Sequence, residues 1–219
     1  MDGIARFLYD RTRMSTITSR RPKGERRRHA LLEATLQLIG RGGPAAVTHR
    51  ALAAEAGVPL ATTTYYFTSK TELLREALRL AVREDVALAE NDPAWREARE
   101  ADTPAQLADA LARNLEMYLR DPERAVAHHE VFLAASRDPE LAPAAEEWTA
   151  TNTAMLEPLL ERLGSPSPGG DARIVNAVLN GLTLEQLGSP TEDFTEQVAH
   201  PALRRTLDAL LSHDSQEGR

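Results

Sequence analysis

The apolar residues of this chain recur at helical spacing along nearly its whole length, and glycine, proline or a capping residue separates one periodic run from the next. Alternating β-branched runs, which indicate strands, are almost absent. Aromatic residues make up only 5% of the 219 residues, whereas alanine, leucine, glutamate and arginine, which favour helices, are abundant. The sequence therefore predicts an all-α fold.

Caps and breakers mark the expected ends of the helices. Glycines and a proline within residues 40–44 end the first helix, Thr48 is a good N-cap for the second, and Ser69 with Glu72 forms a capping box for the fourth. The polar segment Asn91–Thr103 contains a proline and is interpreted as a connection. The predicted helices cover residues 26–40, 48–56, 59–67, 69–90, 104–120, 122–137, 140–163, 171–187 and 191–213, the last with a kink expected at Pro201.

Charge is distributed unevenly along the chain. Residues 1–83 hold 15 Lys and Arg against 7 Asp and Glu, a formal charge of +8, whereas residues 84–219 hold 11 against 26, a formal charge of −15. A basic first third attached to an acidic remainder indicates that a polyanion would be attracted to the first part and repelled by the rest.

The composition argues against several kinds of site. No cysteine is present, which excludes disulfides, thiolate nucleophiles and thiolate-ligated metals, and fits a reducing compartment. The six histidines lack metal-ligand spacing, so we expect no metal site and no cofactor. No apolar run approaches the roughly 18 residues that span a bilayer, and no signal peptide is recognised, so we expect a cytoplasmic protein without membrane contact.

Residues 47–70, V-T-H-R-A-L-A-A-E-A-G-V-P-L-A-T-T-T-Y-Y-F-T-S-K, contain two short helices joined through Gly57, which is the pattern of a helix-turn-helix. The small side chain of Ala53 allows the helices to cross closely, and Val58 is expected to be buried after the turn. Short hydroxyl and apolar groups remain on the outer face of the second helix, and such groups suit a DNA major groove. These groups are Leu60, Ala61, Thr62, Thr63 or Thr64, and Tyr65.

The segment Arg26–Ala81 resembles the DNA-binding domain of the TetR, or tetracycline-repressor-like, family of transcriptional regulators. The resemblance implies a homodimer that binds a pseudo-palindromic operator in double-stranded DNA, commonly as a repressor. It also implies a divergent C-terminal helical domain that binds a small-molecule effector and thereby releases the DNA. The matching residues are Gly42-Gly43, Val47-Thr48, Ala51-Leu52-Ala53, Glu55-Ala56-Gly57-Val58, Tyr66-Phe67, Ser69-Lys70 and Glu72-Leu73-Leu74.

The resemblance implies roles for individual residues. Thr48 and Lys70 correspond to phosphate contacts at helix N-termini, and Arg50 corresponds to a basic contact at the start of the second helix. Thr62 matches a usual base or phosphate contact, and Tyr65 matches an aromatic residue that faces DNA.

Three positions depart from the usual pattern of the family. Pro59 stands where serine is commoner, Thr63 where an aliphatic residue is usual, and Thr64 where a tyrosine commonly contacts phosphate. The predicted DNA-binding residues are Thr48, Arg50, Leu60, Ala61, Thr62, Thr64, Tyr65 and Lys70.

Together these patterns divide the chain into four regions. Residues 1–24 are interpreted as a flexible basic arm, in which Met14 is an alternative start, and the arm's charges fit DNA contact and simple solvation equally well. The DNA-binding domain is placed at residues 25–83 with its motif at about 48–67, the effector-binding and dimerisation domain at 84–213, and a tail at 214–219.

Polar and aromatic residues on otherwise apolar helix faces define a candidate effector region. Asn176 and Asn180 are four residues apart and share a helix face, and buried amides need partners. The partner of each amide can be a ligand, a protein side chain or a water molecule. The aromatic residues are also explained by ordinary core packing. The candidates are Met117, Tyr118, His128, Phe132, Trp148, Asn152, Met155, Asn176 and Asn180.

Gly181 lies inside an apolar predicted helix, where glycine destabilises by ~1 kcal/mol relative to alanine. We therefore expect another helix to approach closely there. The last two helices would pair with their two-fold mates in a four-helix dimer bundle. The candidate interface residues are Val178, Gly181, Leu182, Leu203, Leu207 and Leu210.

Two other function classes fit the sequence less well. The chain carries no Gly-rich phosphate loop, no paired metal ligands and no nucleophile elbow, so we expect no enzyme, although a dispersed Ser/His/Asp site would leave no local motif. A helical protein-interaction module is the second alternative. Weak, salt-insensitive DNA binding together with a tight protein partner would indicate it.

Overall fold

The computed structural model describes residues 23–212, so the predictions for residues 1–22, including Met14, and for the tail at 214–219 lie outside the described residues. Residues 23–212 contain helices and no strand, which confirms the all-α prediction, and none of these helices is long and apolar enough to cross a bilayer. The helices are α1 (Lys23–Gly42), α2 (His49–Glu55), α3 (Leu60–Tyr66), α4 (Lys70–Asn91), α5 (Pro93–Glu100), α6 (Pro104–Leu119), α7 (Pro122–Ala134), α8 (Ala142–Arg162), α9 (Pro168–Gly188) and α10 (His200–Leu211), with a 3₁₀ turn at Pro44–Ala46 and a π-helical turn at Thr195–Ala199.

The helix starts near the predicted motif follow the expected caps. The Thr48 hydroxyl accepts a hydrogen bond from the Ala51 amide (3.2 Å), and the Ser69 hydroxyl accepts one from the Glu72 amide (3.0 Å). The return bond of the capping box is shifted by one residue, because the Glu72 carboxylate accepts from the Thr68 amide (2.8 Å). The hydrogen bonds from Thr68 lower the pKa of Glu72.

The prediction of an irregular connection at Asn91–Thr103 is wrong for its central part, which forms α5. Pro93 occupies the first helical turn, where its missing N–H leaves no intrahelical bond unmade. The buried Asp92 carboxylate accepts a backbone N–H at the start of α5 (2.9 Å). Trp95 and Ala98 are buried on one face of α5, so this short helix packs into the core.

Two apolar cores hold the helices together. The first core joins α1 and α4 to α7 and the beginning of α8, and includes the fully buried Leu31 and Val131. The second core joins α5, α6, α9 and α10 to the end of α8, and includes Leu111 and Leu160. α1 packs most extensively on α7, and α10 packs most extensively on α6.

The helical region at the end of the chain is irregular next to Pro201, as predicted. The π-helical turn at Thr195–Ala199 ends directly before α10, and Pro201 lies in the first turn of α10. Proline has no N–H to donate to the preceding turn, so the regular hydrogen-bond ladder is interrupted there.

Candidate nucleic-acid interface

The helices α2 and α3 have seven residues each and are joined by a turn at Gly57. Gly57 has a φ of 63°, a left-handed conformation that favours glycine. The Val58 amide donates to the Ala53 carbonyl (3.0 Å), which closes the turn. Leu52 and Phe67 are buried in the first core, so the predicted helix-turn-helix is formed.

One face of α3 is exposed to solvent. Leu60, Ala61, Thr64 and Tyr65 occupy positions i, i+1, i+4 and i+5 and therefore share this face. Tyr65 is 81% exposed and Leu60 is 54% exposed. Large apolar side chains that are exposed together commonly mark an interaction site. Thr62 is half-buried at the edge of the face. The result is a short helix that presents apolar and hydroxyl groups of a size that fits a major groove.

The predicted phosphate contacts lie in the first turns of α2 and α4 or at their N-caps. Thr48 and Arg50 are exposed at the start of α2, and Lys70 is exposed as the first residue of α4. Within residues 23–212, neither Arg50 nor Lys70 forms an ion pair with a carboxylate. The Lys70 ammonium donates to the Pro44 carbonyl, which holds it against the 3₁₀ turn at Pro44–Ala46. Exposed cations therefore lie in the first turns of the helices that precede and follow α3 in the chain, where they are available to a phosphate backbone.

The buried side of α3 carries a hydrogen-bonded pair that the sequence patterns did not indicate. Thr63 is completely buried, and its hydroxyl donates to the Leu60 carbonyl (2.9 Å). The same hydroxyl lies 2.9 Å from Nδ1 of His49, the first residue of α2. A partly open cavity of about 130 Å³ adjoins this pair. Its lining residues are Val47, Thr48, His49, Leu52, Thr63, Phe67, Ser69, Lys70 and Leu73.

The basic residues at the start of α1 are exposed up to residue 27, but Arg28 is not a free surface charge. Its guanidinium bonds to the Glu76 carboxylate of α4 (2.7 Å) and lies over the Phe67 ring (5.4 Å to the centroid). Arg28 therefore holds α1 against α4 instead of extending the basic arm.

Four of the predicted effector residues come together in two pairs around α7. The Tyr118 hydroxyl lies 3.0 Å from His128 Nδ1, and the Phe132 and Trp148 rings are 4.9 Å apart in an edge-to-face arrangement. The His129 ring also lies against Trp148, with the two ring centroids 5.7 Å apart. Burial lowers the pKa of His129, which favours the neutral ring. The Nε2 atoms of both histidines are buried and have no hydrogen-bond partner among the described residues.

The other effector candidates do not join these two pairs in one cluster, although the Asn180 side chain lies close to His129. The Asn180 amide donates to the Asn176 backbone carbonyl (2.9 Å) and lies 3.3 Å from its side-chain oxygen. These amides therefore find protein partners, one of the alternatives left open above. Asn152 is half-buried, Met155 packs against the second core and Met117 is 46% exposed. The nine candidates are thus divided between the two cores and the surface.

Three of the predicted dimer residues are core residues of the protomer itself. Leu203 and Leu207 have no exposed surface, and Leu182 is 7% exposed. All three belong to the second core, where α10 packs on α6. The prediction is corrected for these residues, because apolar periodicity on a helix does not distinguish a face that packs inside the protomer from one that packs on a partner.

A different face of α9 is both apolar and exposed. Ile174 is 46% exposed and Leu184 is 48% exposed, and Gly181 lies between them on the same side of the helix. A Cβ atom added to Gly181 would meet no atom within 4 Å. The predicted interface residues Val178 and Leu210 are half-buried. The close approach expected at Gly181 is therefore not made within the protomer.

Charged side chains connect α1 to the rest of the protein. His29 Nδ1 lies 3.4 Å from Glu33, and His29 Nε2 lies 3.3 Å from Glu84 of α4. The hydrogen bonds to Glu33 and Glu84 raise the pKa of His29 to about 9. His29, Glu33 and Glu84 are close enough to ligate a metal ion. Arg124 of α7 also contacts Glu84 (3.3 Å), so protein cations already compensate these carboxylates, and an ion-pair network is favoured.

The network continues towards the effector candidates. Arg124 also contacts Asp85 (3.0 Å), and Asp85 lies 3.3 Å from His128 Nδ1. Burial would raise the pKa of Asp85, but His128 and Arg124 hold it below its usual value, so Asp85 remains ionised. The chain of contacts therefore runs from α1 through α4 and α7 to Tyr118 on α6. No local motif could have indicated it, because its members are far apart in sequence.

Two families match separate parts of this chain. Residues 31–77, from α1 into α4, match a family described as bacterial regulatory proteins of the tetR family. Residues 102–212, which make up half of the chain, match a family described as the tetracyclin repressor-like C-terminal domain. The chain belongs to the TetR family. None of the curated proteins compared with this TetR-family chain matches it.

Several solved structures are similar to this TetR-family protein. The multidrug binding protein EbrR complexed with imidazole is 33% identical, with 88% of this chain and 94% of that chain covered and a TM-score of 0.63. EbrR complexed with malachite green is 34% identical, with 84% and 98% covered and a TM-score of 0.63. A TetR-family member from Streptomyces coelicolor A3 is 31% identical, with 86% and 98% covered and a TM-score of 0.64.

Proposed function

We propose that this TetR-family protein is a ligand-responsive transcriptional repressor that binds a pseudo-palindromic operator as a homodimer and is released by a small-molecule effector. The observation that carries the proposal is the exposed apolar and hydroxyl face of α3, together with the exposed cations Arg50 and Lys70, which form no ion pair with a carboxylate within residues 23–212. A helix with such a face, flanked by positive charge, is suited to a major groove.

In the proposed complex, α3 lies in the major groove and α2 crosses the DNA backbone. The exposed residues of α3 contact base edges and thymine methyl groups, and the flanking residues contact phosphates. The groove contacts are Leu60, Ala61, Thr62, Thr64 and Tyr65, and the phosphate contacts are Thr48, Arg50 and Lys70.

The proposed dimer interface is the exposed face of α9. Ile174 and Leu184 provide the apolar area, and Gly181 allows a partner helix to approach closely. Ile174→Glu should place a charge in this interface and convert the dimer to a monomer in size-exclusion chromatography with light scattering. Glu146→Gln on the exposed surface of α8 is the matched control. A wild-type protein that elutes as a monomer would remove the dimer from the proposal.

The proposed effector region lies around His128, His129 and Trp148. Nδ1 of the neutral His129 ring donates to the Ala125 carbonyl (2.8 Å), so its Nε2, which has no hydrogen-bond partner within residues 23–212, is a buried acceptor. An unsatisfied buried acceptor favours a ligand that donates a hydrogen bond. The EbrR structures contain the aromatic dyes ethidium, proflavin and malachite green. Aromatic amines and aromatic cations are therefore the first compounds to test.

The reading head of each protomer comprises α1 to the start of α4, residues 23–70. Release of DNA requires an effector that binds one arrangement of the two reading heads better than another. α4 is the element that can transmit such a difference, because it belongs to both cores. Leu78 of α4 is fully buried in the first core beside the reading head, and Ala89 is buried in the second core.

Selection of bound fragments from the source genome tests the DNA part of the proposal. We expect enrichment of duplexes with two-fold symmetry. Arg50→Ala should weaken binding to all duplexes and reduce the salt dependence by about one counterion per protomer, because one phosphate contact is lost. Arg96→Ala, an exposed arginine of α5, should leave the salt dependence unchanged. Failure to enrich any duplex would contradict the proposal.

Tryptophan fluorescence tests the effector part. The chain has two tryptophans, so Trp95→Phe leaves Trp148 as the only one. We expect proflavin, whose amino groups can donate hydrogen bonds, to quench Trp148 in this variant without DNA and to lower operator affinity in the wild type. Release of operator without any change in Trp148 fluorescence would place the effector elsewhere.

A further inference from the structure

The reading helix α3 contains a buried hydroxyl in a position that the family pattern fills with an aliphatic side chain. Thr63 has no exposed surface. Its single hydroxyl proton is directed to the Leu60 carbonyl at 2.9 Å, so its oxygen is left to accept a hydrogen bond. The atom that reaches this oxygen is His49 Nδ1 at 2.9 Å. Both contacts are satisfied together only when His49 carries a proton on Nδ1.

Packing behind α3 is incomplete at this point. The cavity of about 130 Å³ lies against Thr63, and most of its wall is apolar surface although polar residues also line it. The apolar lining residues are Val47, Leu52, Phe67 and Leu73. A threonine fills less of this space than a leucine would, so van der Waals contacts alone hold α3 less firmly. The hydrogen bond between His49 and Thr63 joins the first turn of α2 directly to the middle of α3.

We propose that His49 is a positioning residue that fixes the angle of α3 on α2 and thereby sets the discrimination between operator and other DNA. Phosphate contacts from Arg50 and Lys70 come from α2 and α4 and do not depend on this angle. Base contacts come from α3 and do depend on it. When only a fraction of the molecules hold α3 at the right angle, the apparent operator affinity is the intrinsic affinity multiplied by that fraction.

This inference rests on the DNA binding proposed above, and a set of variants tests it on an enriched fragment and a random duplex of equal length. His49→Ala and Thr63→Val each remove the hydrogen bond, and a typical net value for such a bond corresponds to an about fivefold loss of operator affinity. Random-duplex affinity and the salt dependence should stay unchanged. His49→Asn places an amide N–H near the position of Nδ1–H and should restore operator affinity.

The double variant and a cavity-filling variant complete the test. His49→Ala combined with Thr63→Val should lose no more operator affinity than either single variant, because both remove the same bond. His49→Val combined with Thr63→Leu should recover affinity by filling the cavity. Equal losses on operator and random duplex, with a reduced salt dependence, would make His49 a phosphate contact and overturn the inference. Unchanged operator affinity in His49→Ala would also overturn it, whereas a wild-type protein that binds no duplex would overturn the proposed function itself.

Discussion

Replacing Gly40 by alanine probes the contact between the reading head and the helix that packs most extensively on it. Gly40 lies near the end of α1, where α1 meets the start of α7. A Cβ atom at this position would lie 2.2 Å from the Glu123 carbonyl oxygen and 2.8 Å from its carbonyl carbon. These are backbone atoms, so no side-chain rotation can relieve the overlap, and α1 and α7 have to move apart.

The size of the effect follows from two opposing terms. Alanine in a helix interior is about 1 kcal/mol more favourable than glycine. Overpacking that shifts backbone typically destabilises by about 1–3 kcal/mol, and an overlap of about 1 Å with a backbone carbonyl belongs at the upper end of that range. We therefore expect Gly40→Ala to lower the free energy of unfolding by about 2 kcal/mol, which for a chain of this size lowers the Tm by about 4–8 °C.

Differential scanning calorimetry at a fixed protomer concentration measures this difference, since the Tm of a dimer depends on concentration. Gly24→Ala is the matched control, because Gly24 is an exposed residue at the start of the same helix and its Cβ would make only an ordinary 3.5 Å contact with the Tyr66 hydroxyl. The control should leave the Tm unchanged or slightly raised. A Gly40→Ala protein with the wild-type Tm or a higher one would refute the close packing of α1 on Glu123.

Substitutions at three further positions have expected outcomes. The pKa of His29 is raised from an ordinary 6.5 to about 9, so its ion pairs stabilise the fold fully below pH 6.5 and lose this effect as the pH rises through about 9. The difference in urea midpoint between wild type and His29→Gln should therefore shrink over that window. A difference that stays constant with pH would contradict the ion pairs. Ser69→Ala removes the N-cap of α4 and should lower stability by about 1 kcal/mol, measured by urea unfolding, while Ser69→Asp should not. Leu203→Ala should cost about 2–5 kcal/mol in the same assay because the side chain is fully buried in the protomer, and a loss confined to dimerisation would return Leu203 to the interface.

The reading head was predictable because its signals are local. Thr48, Gly57 and Ser69 act within a few residues of themselves, as caps or as a turn, and each does so in the structure. The exposed face of α3 follows in the same way from its helical period and from the short side chains on it. Fold class and the position of the candidate interface were therefore accessible from spacing and residue type alone.

The parts that were not predictable depend on contacts between distant residues. Thr63 looked like one of several outward-facing candidates, but the partner that explains its burial is His49 on another helix. The apolar stripe of α10 was compatible with a dimer seam until the packing of Leu203 against α6 assigned it to the protomer core. Asp92 and Pro93 are a local helix-start signal, but the packing of Trp95 and Ala98 that holds α5 in the second core depends on residues distant in sequence.

The first core links the reading head to the rest of the protein more tightly than a division near residue 83 would imply. α1 belongs to the segment expected to read DNA, yet it packs mainly on α7, which carries His128 and Phe132 of the proposed effector region. Arg124, in the first turns of the same α7, contacts the carboxylates at 84 and 85 of α4. A ligand that displaced α7 would therefore act on α1 and α4 together. Because the absence of a side chain at Gly40 allows α7 to pack this closely, we expect Gly40→Ala to alter effector-dependent release of DNA as well as stability.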